Sequence, residues 1–258
     1  MAAWSSPNDP ATPVLWIDAQ DASMWTLSGD TITAWSNKGS EAAGETVGGS
    51  PTRESVGGLV AVNGLDGSNY LEQAGVGGSF GGAATVVAAY YPLQTGISYL
   101  FDAGEAADAA ETARLYRDSA NLTASMTDTG ASANAQDSGD NASGWNVCAW
   151  RVPAAVDRVE LWLNEGAKVE HAVASLAWAN GDQFAIGTVP PGGSGGLIAI
   201  GELVVYGSDL SDAEVANGLL YLAARWQVTP PTISKVPNVR RFDASMQEGY
   251  SEPYFRRF

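Results

Sequence analysis

The sequence predicts an all-β protein in which two antiparallel sheets form a sandwich, closed by one C-terminal α-helix and followed by an extended C-terminal tail. Three observations carry this prediction. About a dozen short apolar or alternating segments are separated by turn residues, the pattern of a two-sheet sandwich. No helical pattern intervenes between them, which argues against a doubly wound α/β fold. Only residues 211–226 combine a capping signal with helical spacing.

The elements follow in order. Residues 1–13 are polar and Pro-rich from Pro7 onward, a lead-in to a domain spanning 14–226. Val14-Leu15-Trp16-Ile17 is a short buried strand, followed by a polar loop over 18–29 that contains Met24 and Trp25. Thr31 to Trp35 alternates like a strand and stops at the turn Ser36-Asn37-Lys38-Gly39. Residues 40–58, polar and glycine-rich, read as one long loop. Ala83 to Tyr91 is a central strand ended by Pro92, and strands are expected at 98–101, 113–117 and 122–126. Thr127 to Gly144 is rich in Ser, Asp, Asn, Gly and Ala and reads as a surface loop. Strands follow at 145–152, 159–163, 169–173 and 184–186, then a last long one from Leu197 to Tyr206.

The helix has the most explicit signals. Ser211 is placed to cap it, and Glu214 three residues later completes a capping box. Asp212 and Glu214 suit the positive end of the helix dipole. Val215, Leu219, Leu222 and Trp226 share one face, which should pack on the sandwich. Pro230 and Pro231 bar further helix.

Composition limits function. Hydrophobic residues make up 45% of the 258, enough for a sizeable core. A net charge of -16 disfavours binding to nucleic acid, which needs clustered Lys and Arg, and disfavours adsorption to an anionic membrane. The single Cys148 excludes an internal disulfide and reads as a small buried hydrophobe. Residues 1–13 lack a basic region followed by an apolar run, so no signal peptide is expected, and no apolar stretch is long enough to span a bilayer.

Two segments carry a family resemblance. Leu15-Trp16-Ile17-Asp18-Ala19, then Ile32-Thr33-Ala34-Trp35-Ser36-Asn37-Lys38-Gly39, resembles the opening of concanavalin A-like lectin/glucanase (laminin G-like) jelly-roll domains. Glu202 to Trp226, with Tyr206, Leu210, Ser211, Glu214, Tyr221 and Leu222, resembles their closing strand and helix. The resemblance implies a jelly-roll sandwich with one concave sheet, sugar binding in that concavity or at its rim, and in some members calcium near the same edge. Such domains occur in secreted bacterial proteins and on the surfaces of bacteriophage virions. The Glu-x-Asp-x-x-Glu strand of the family's glycosidases is missing, which argues against hydrolysis, because cleavage needs two positioned carboxyls.

Other chemistry is sparse. Gly192-Gly193-Ser194-Gly195-Gly196 matches a nucleophile elbow in letters, but prolines precede it and a strand follows it, so it reads as a loop. His171, the one histidine, reads as a half-buried strand residue and cannot build a zinc site alone. Asp18 and Asp21, with Asp30, are the calcium candidates, although turn capping explains such carboxylates as well. Asp102, Glu105, Asp108 and Glu111 read as a solubilising acidic loop. No cofactor is expected. For sugar stacking the candidates are Trp25, Tyr90, Tyr91, Tyr99, Tyr116 and Trp162, with Trp162, Tyr116 and Tyr99 preferred.

The tail, 227–258, changes character. It carries a net charge of +2 and repeats Arg-Arg-Phe at 240–242 and 256–258. Arg240, Arg241, Phe242, Tyr250, Tyr254, Phe255, Arg256, Arg257 and Phe258 form an anchoring candidate, because interface hot spots favour Tyr and Arg. The expected function is therefore a non-enzymatic structural protein on a phage virion surface, a head decoration, spike or fibre component. Its lectin-like domain would meet glycans, and its tail would hold capsid or tail subunits and support a homo-oligomer. The alternatives are a secreted carbohydrate-binding module and a degenerate glycoside hydrolase.

Overall fold

A computed structural model describes residues 4–41, 44–74, 82–104, 112–119, 121–128, 131–164, 166–172, 183–188 and 196–228. The first strands are β1 (Leu15–Asp18), β2 (Trp25–Ser28), β3 (Thr31–Trp35), β4 (Glu45–Gly48), β5 (Thr52–Val56), β6 (Leu59–Leu65) and β7 (Tyr70–Ala74). There follow β8 (Ala84–Pro92), β9 (Ile97–Gly104), β10 (Thr112–Asp118), β11 (Asn121–Asp128) and β12 (Ala131–Asp137). The last are β13 (Asn146–Val152), β14 (Arg158–Leu163), β15 (Val169–Ala172), β16 (Gln183–Ile186) and β17 (Ile198–Tyr206), then the helix α1 (Asp212–Arg225).

The strands form two antiparallel sheets. One has ten strands, ordered β15-β14-β13-β8-β17-β6-β5-β3-β2, with β1 paired to β17. The other has seven, ordered β12-β11-β10-β9-β16-β7-β4. Aromatic rings fill the space between them: Phe101 lies 5.3 Å from Phe184 and 6.3 Å from Trp150, centroid to centroid. β8 and β17 are almost wholly apolar and buried on both faces, Glu202 of β17 being the charged exception, because one face meets the second sheet and the other meets the helix. All nine residues of β17 are buried.

The predicted helix forms with both halves of its capping box: Ser211 accepts from the Glu214 N–H, and the Glu214 carboxylate accepts from the Ser211 N–H. Val215, Leu219, Leu222 and Trp226 are buried against the ten-stranded sheet. Arg151 on β13 ties down the helix start, donating to the Leu210 carbonyl and to Asp212. From the lead-in, Trp4 stacks edge-on against Tyr206, whose hydroxyl donates to the Pro7 carbonyl.

The structure corrects several local expectations. The loop expected over 18–29 contains a 3₁₀ turn, Ala22–Met24, and β2. The loop over 40–58 contains β4 and β5, and the loop over 127–144 contains β12. β4 and β12 are edge strands, whose outer residues stay in water and need no apolar side chains. His171 is exposed, not half-buried, because β15 is the edge of its sheet and pairs on one side only. Asp102 is not part of a solvated loop but sits fully buried in β9, paired with Arg114 of β10. Burial pushes its carboxyl up to about 6. Cys148 is buried as expected, and burial raises its thiol far above the ordinary value. Glu105, Asp108, Glu111 and Gly192 to Gly195 lie outside the described residues, as do the tail positions from 229 onward.

Candidate functional site

A cavity of about 420 Å³ opens at one edge of the sandwich, where the chain leaves the helix. Five separate segments build it. Tyr91 comes from the end of β8, and Gly57 from the β5–β6 turn. The loop before β13 supplies Gly139, Asn141, Ser143, Gly144 and Trp145. Asn164 follows β14, and Gln227 and Val228 follow the helix.

The loop is held by a relay of side-chain amides. Asn146, fully buried at the start of β13, donates to the carbonyls of Asn141 (2.9 Å) and Gly144 (3.1 Å). Its oxygen accepts from the Asn141 N–H and from Asn164 Nδ2, each at 2.7 Å. Asn164 Oδ1 accepts from the Val147 N–H. Asn164 has φ +48°, a left-handed conformation that asparagine tolerates better than most residues. The Tyr91 hydroxyl closes the loop by donating to the Ser143 carbonyl at 2.9 Å. A loop fixed in this way loses little entropy when a ligand arrives.

The aromatic wall is equally constrained. Tyr91 meets Trp145 edge-on at 5.7 Å, and Trp145 is backed by Trp226 at 4.6 Å. Gly57 lies against both rings of the first pair. Its φ is +57°, and a Cβ there would come within 2.9 Å of the Tyr91 ring and 3.0 Å of Trp145 Nε1. The Trp145 indole N–H is buried and has no hydrogen-bond partner among the described residues.

The lining combines two aromatic rings, three side-chain amides, a serine and glycine backbone, and none of its residues carries a formal charge. It offers shape, stacking and hydrogen bonding, and its described residues include no carboxylate, imidazole, thiol or cation for acid–base or nucleophilic work.

The sequence candidates fall elsewhere, with one exception. Tyr99 and Tyr116 are cross-strand partners on β9 and β10, with ring centroids 5.9 Å apart, beside the Arg114–Asp102 pair. They lie on the face of the seven-stranded sheet opposite Leu115, which is buried in the core. Trp162 is only 9% exposed and sits between Arg151 and Lys168, so protein cations already occupy its ring. Trp25 and Tyr90 are buried. Tyr91 alone joins the cavity.

Asp18 and Asp21 face cations of the protein. Asp18 accepts two hydrogen bonds from Arg225, and Asp21 pairs with Lys38 at 2.9 Å. Asp21 also caps the 3₁₀ turn through Ser23, and this, with Lys38, holds its carboxyl far below the usual range. Among the described residues no group of three or more His, Cys, Asp or Glu is arranged to hold a metal. The anchoring candidates Arg240, Arg241, Phe242, Tyr250, Tyr254, Phe255, Arg256, Arg257 and Phe258 lie outside the described residues. Sequence reasoning missed Trp145, Asn141, Asn164 and Gln227. The available signal was a long polar loop running directly into a tryptophan.

No protein-family model and no curated protein matches the chain. Solved structures match its shape. The binding domain of botulinum neurotoxin DC, in complex with SialylT, superposes with a TM-score of 0.60 at 8% identity, covering 82% of this chain and 52% of that one. The botulinum neurotoxin serotype D binding domain gives 0.58 at 8% identity, covering 80% and 51%. The receptor binding domain of the C/D mosaic serotype gives 0.58 at 7%, with the same coverage. The chain spans about half the length of these domains, and at such identities the likeness is one of fold.

Proposed function

We propose that this chain is a carbohydrate-binding β-sandwich that holds a glycan in the Tyr91–Trp145 cavity and performs no chemistry on it. The observation that carries the reading is the convergence of an aromatic pair and three amides in a concave site with no reactive group among the described residues. Sugar rings stack on aromatic side chains, and amides donate to and accept from hydroxyls. The shared fold with toxin binding domains, one of them in complex with SialylT, supports a glycan as the ligand, without fixing its charge.

Tyr91→Ala is the direct test. A glycan array identifies ligands, and titration calorimetry on the wild type and the variant then measures the affinity. The variant should bind about tenfold more weakly, the equivalent of about 1.4 kcal/mol, with an unchanged far-UV spectrum. Undiminished binding by Tyr91→Ala, or a broad array without a single hit, defeats the proposal.

The same reading places the domain on a phage particle, displayed through the tail. Its support is the tail's basic, aromatic composition beside residues 1–226 of net charge -18. A chain lacking 232–258 should fold normally and fail to co-purify with particles. Incorporation equal to that of the full chain would overturn the display role.

A further inference from the structure

We infer that the ligand of the Tyr91–Trp145 cavity is a neutral sugar, read through its ring face and hydroxyls and not through a carboxylate, sulfate or phosphate. This rests on the glycan-binding reading above and specifies its ligand class.

Four features of the site point the same way. First, its polar side chains are Asn141, Ser143, Asn164 and Gln227, all uncharged, whereas anionic ligands are usually met by Arg, Lys or a helix N-terminus. Second, the helix that reaches the cavity presents its other end. Gln227 and Val228 directly follow the C-cap Trp226, where the dipole is negative and favours cations over anions.

Third, the nearby cations among the described residues already have partners. Arg117 is buried, paired with Asp140 and donating to the Gln94 carbonyl. Arg225, in the last helical turn, donates to Asp18 and Tyr221. Fourth, a carboxylate stands close behind the lining: Asp137 Oδ1 accepts from the N–H of Gly139 at 2.8 Å. The chain as a whole carries -16. An acidic sugar would approach through a repulsive field and find no compensating charge among the described residues. A neutral pyranose meets no such penalty.

The experiment titrates the wild-type chain with neutral oligosaccharides and with a sialylated oligosaccharide of the same core, at about 20 mM and about 500 mM NaCl, because screening acts over that range. The neutral sugar should bind with an affinity that changes by less than about twofold with salt. The sialylated one should bind at least about tenfold more weakly at low salt, with the gap narrowing as salt rises. Tighter binding of the sialylated sugar, or a neutral-sugar affinity that collapses with salt, overturns the inference while leaving glycan binding intact. Undiminished binding by Tyr91→Ala overturns it for this cavity. If neither sugar class binds, the glycan reading fails and the inference falls with it.

Discussion

Replacing Trp226 with alanine should cost about 3–5 kcal/mol of folding stability, the usual range for removing a fully buried tryptophan. Trp226 is 0% exposed and engages three parts of the structure. Its ring lies against Gly201 of β17 so closely that a Cβ there would come within 2.6 Å of it. Its Nε1 donates to Glu202 at 3.3 Å, and its other neighbour is the Trp145 ring. The substitution therefore opens a cavity, removes a donor from a buried carboxylate and takes away the support of the binding wall. A domain of this kind has about 5–15 kcal/mol to lose, so the variant should fold but melt far earlier. Urea midpoints read the effect, and glycan affinity should fall with stability because Trp145 loses its backing. A loss below about 1 kcal/mol would mean that the helix end is not part of the cooperative core.

The elements most legible in the sequence were those whose signals are local. The capping box at Ser211 and Glu214 needs only four residues to be read, and it is present as expected. The apolar runs of β8 and β17 announced a central and a long closing strand, and both form. Of the illegible strands, β2, β4, β5 and β12 lie at or near sheet margins, whereas β6 and β7 are interior to their sheets. In β12, Ala133 and Ala135 face the core while Ser132, Asn134 and Gln136 face water. The alternation is real, but alanine gives it too little amplitude to stand out from a polar loop. β4 is short, and β5, Thr52–Val56, places only Val56 in the core.

The cavity was less legible for a different reason. Its residues come from five segments spread over about 170 positions, and only the strand order brings them together. Tyr91 could be nominated as an aromatic on a strand. Asn141 and Asn164 looked like turn residues, and in fact they serve both purposes: they satisfy the loop backbone and line the site. Trp162 and Asp102 mislead for the same physical reason. Trp162 read as a stacking candidate and Asp102 as part of a solvated loop, and each is buried against cations, Arg151 and Lys168 in one case and Arg114 in the other.

Glu202 gives a second large and signed expectation. Its carboxyl is 0% exposed beneath the helix, where it accepts from Trp16 Nε1 at 3.0 Å, from the Tyr221 hydroxyl at 3.2 Å and from Trp226. Burial pushes its pKa up to about 7, although Arg225 at 3.4 Å and the indole donors favour the charged form, and the neighbouring Asp18 adds to the rise. In the unfolded chain a glutamate titrates near 4.3. Below that pH both states hold the proton and the group is neutral to stability. Between roughly 4.3 and 7 the unfolded state releases the proton while the folded state keeps it, so stability falls as pH rises. Above about 7 the loss is complete. Asp102, raised to about 6, adds a loss of the same sign over a lower window. Glu160 acts in the opposite sense: burial raises it, but Arg158, Lys168 and Arg151 outweigh burial and hold it low, so its contribution is lost only as pH falls. Comparing wild type with Glu202→Gln isolates the one group, since repulsion among the other charges is nearly common to both. From pH 5 to pH 8 the wild type should lose about 2–3 kcal/mol more than Glu202→Gln in urea unfolding. Parallel pH profiles would show that Glu202 is ionised throughout and that its three donors and Arg225 fully offset its burial.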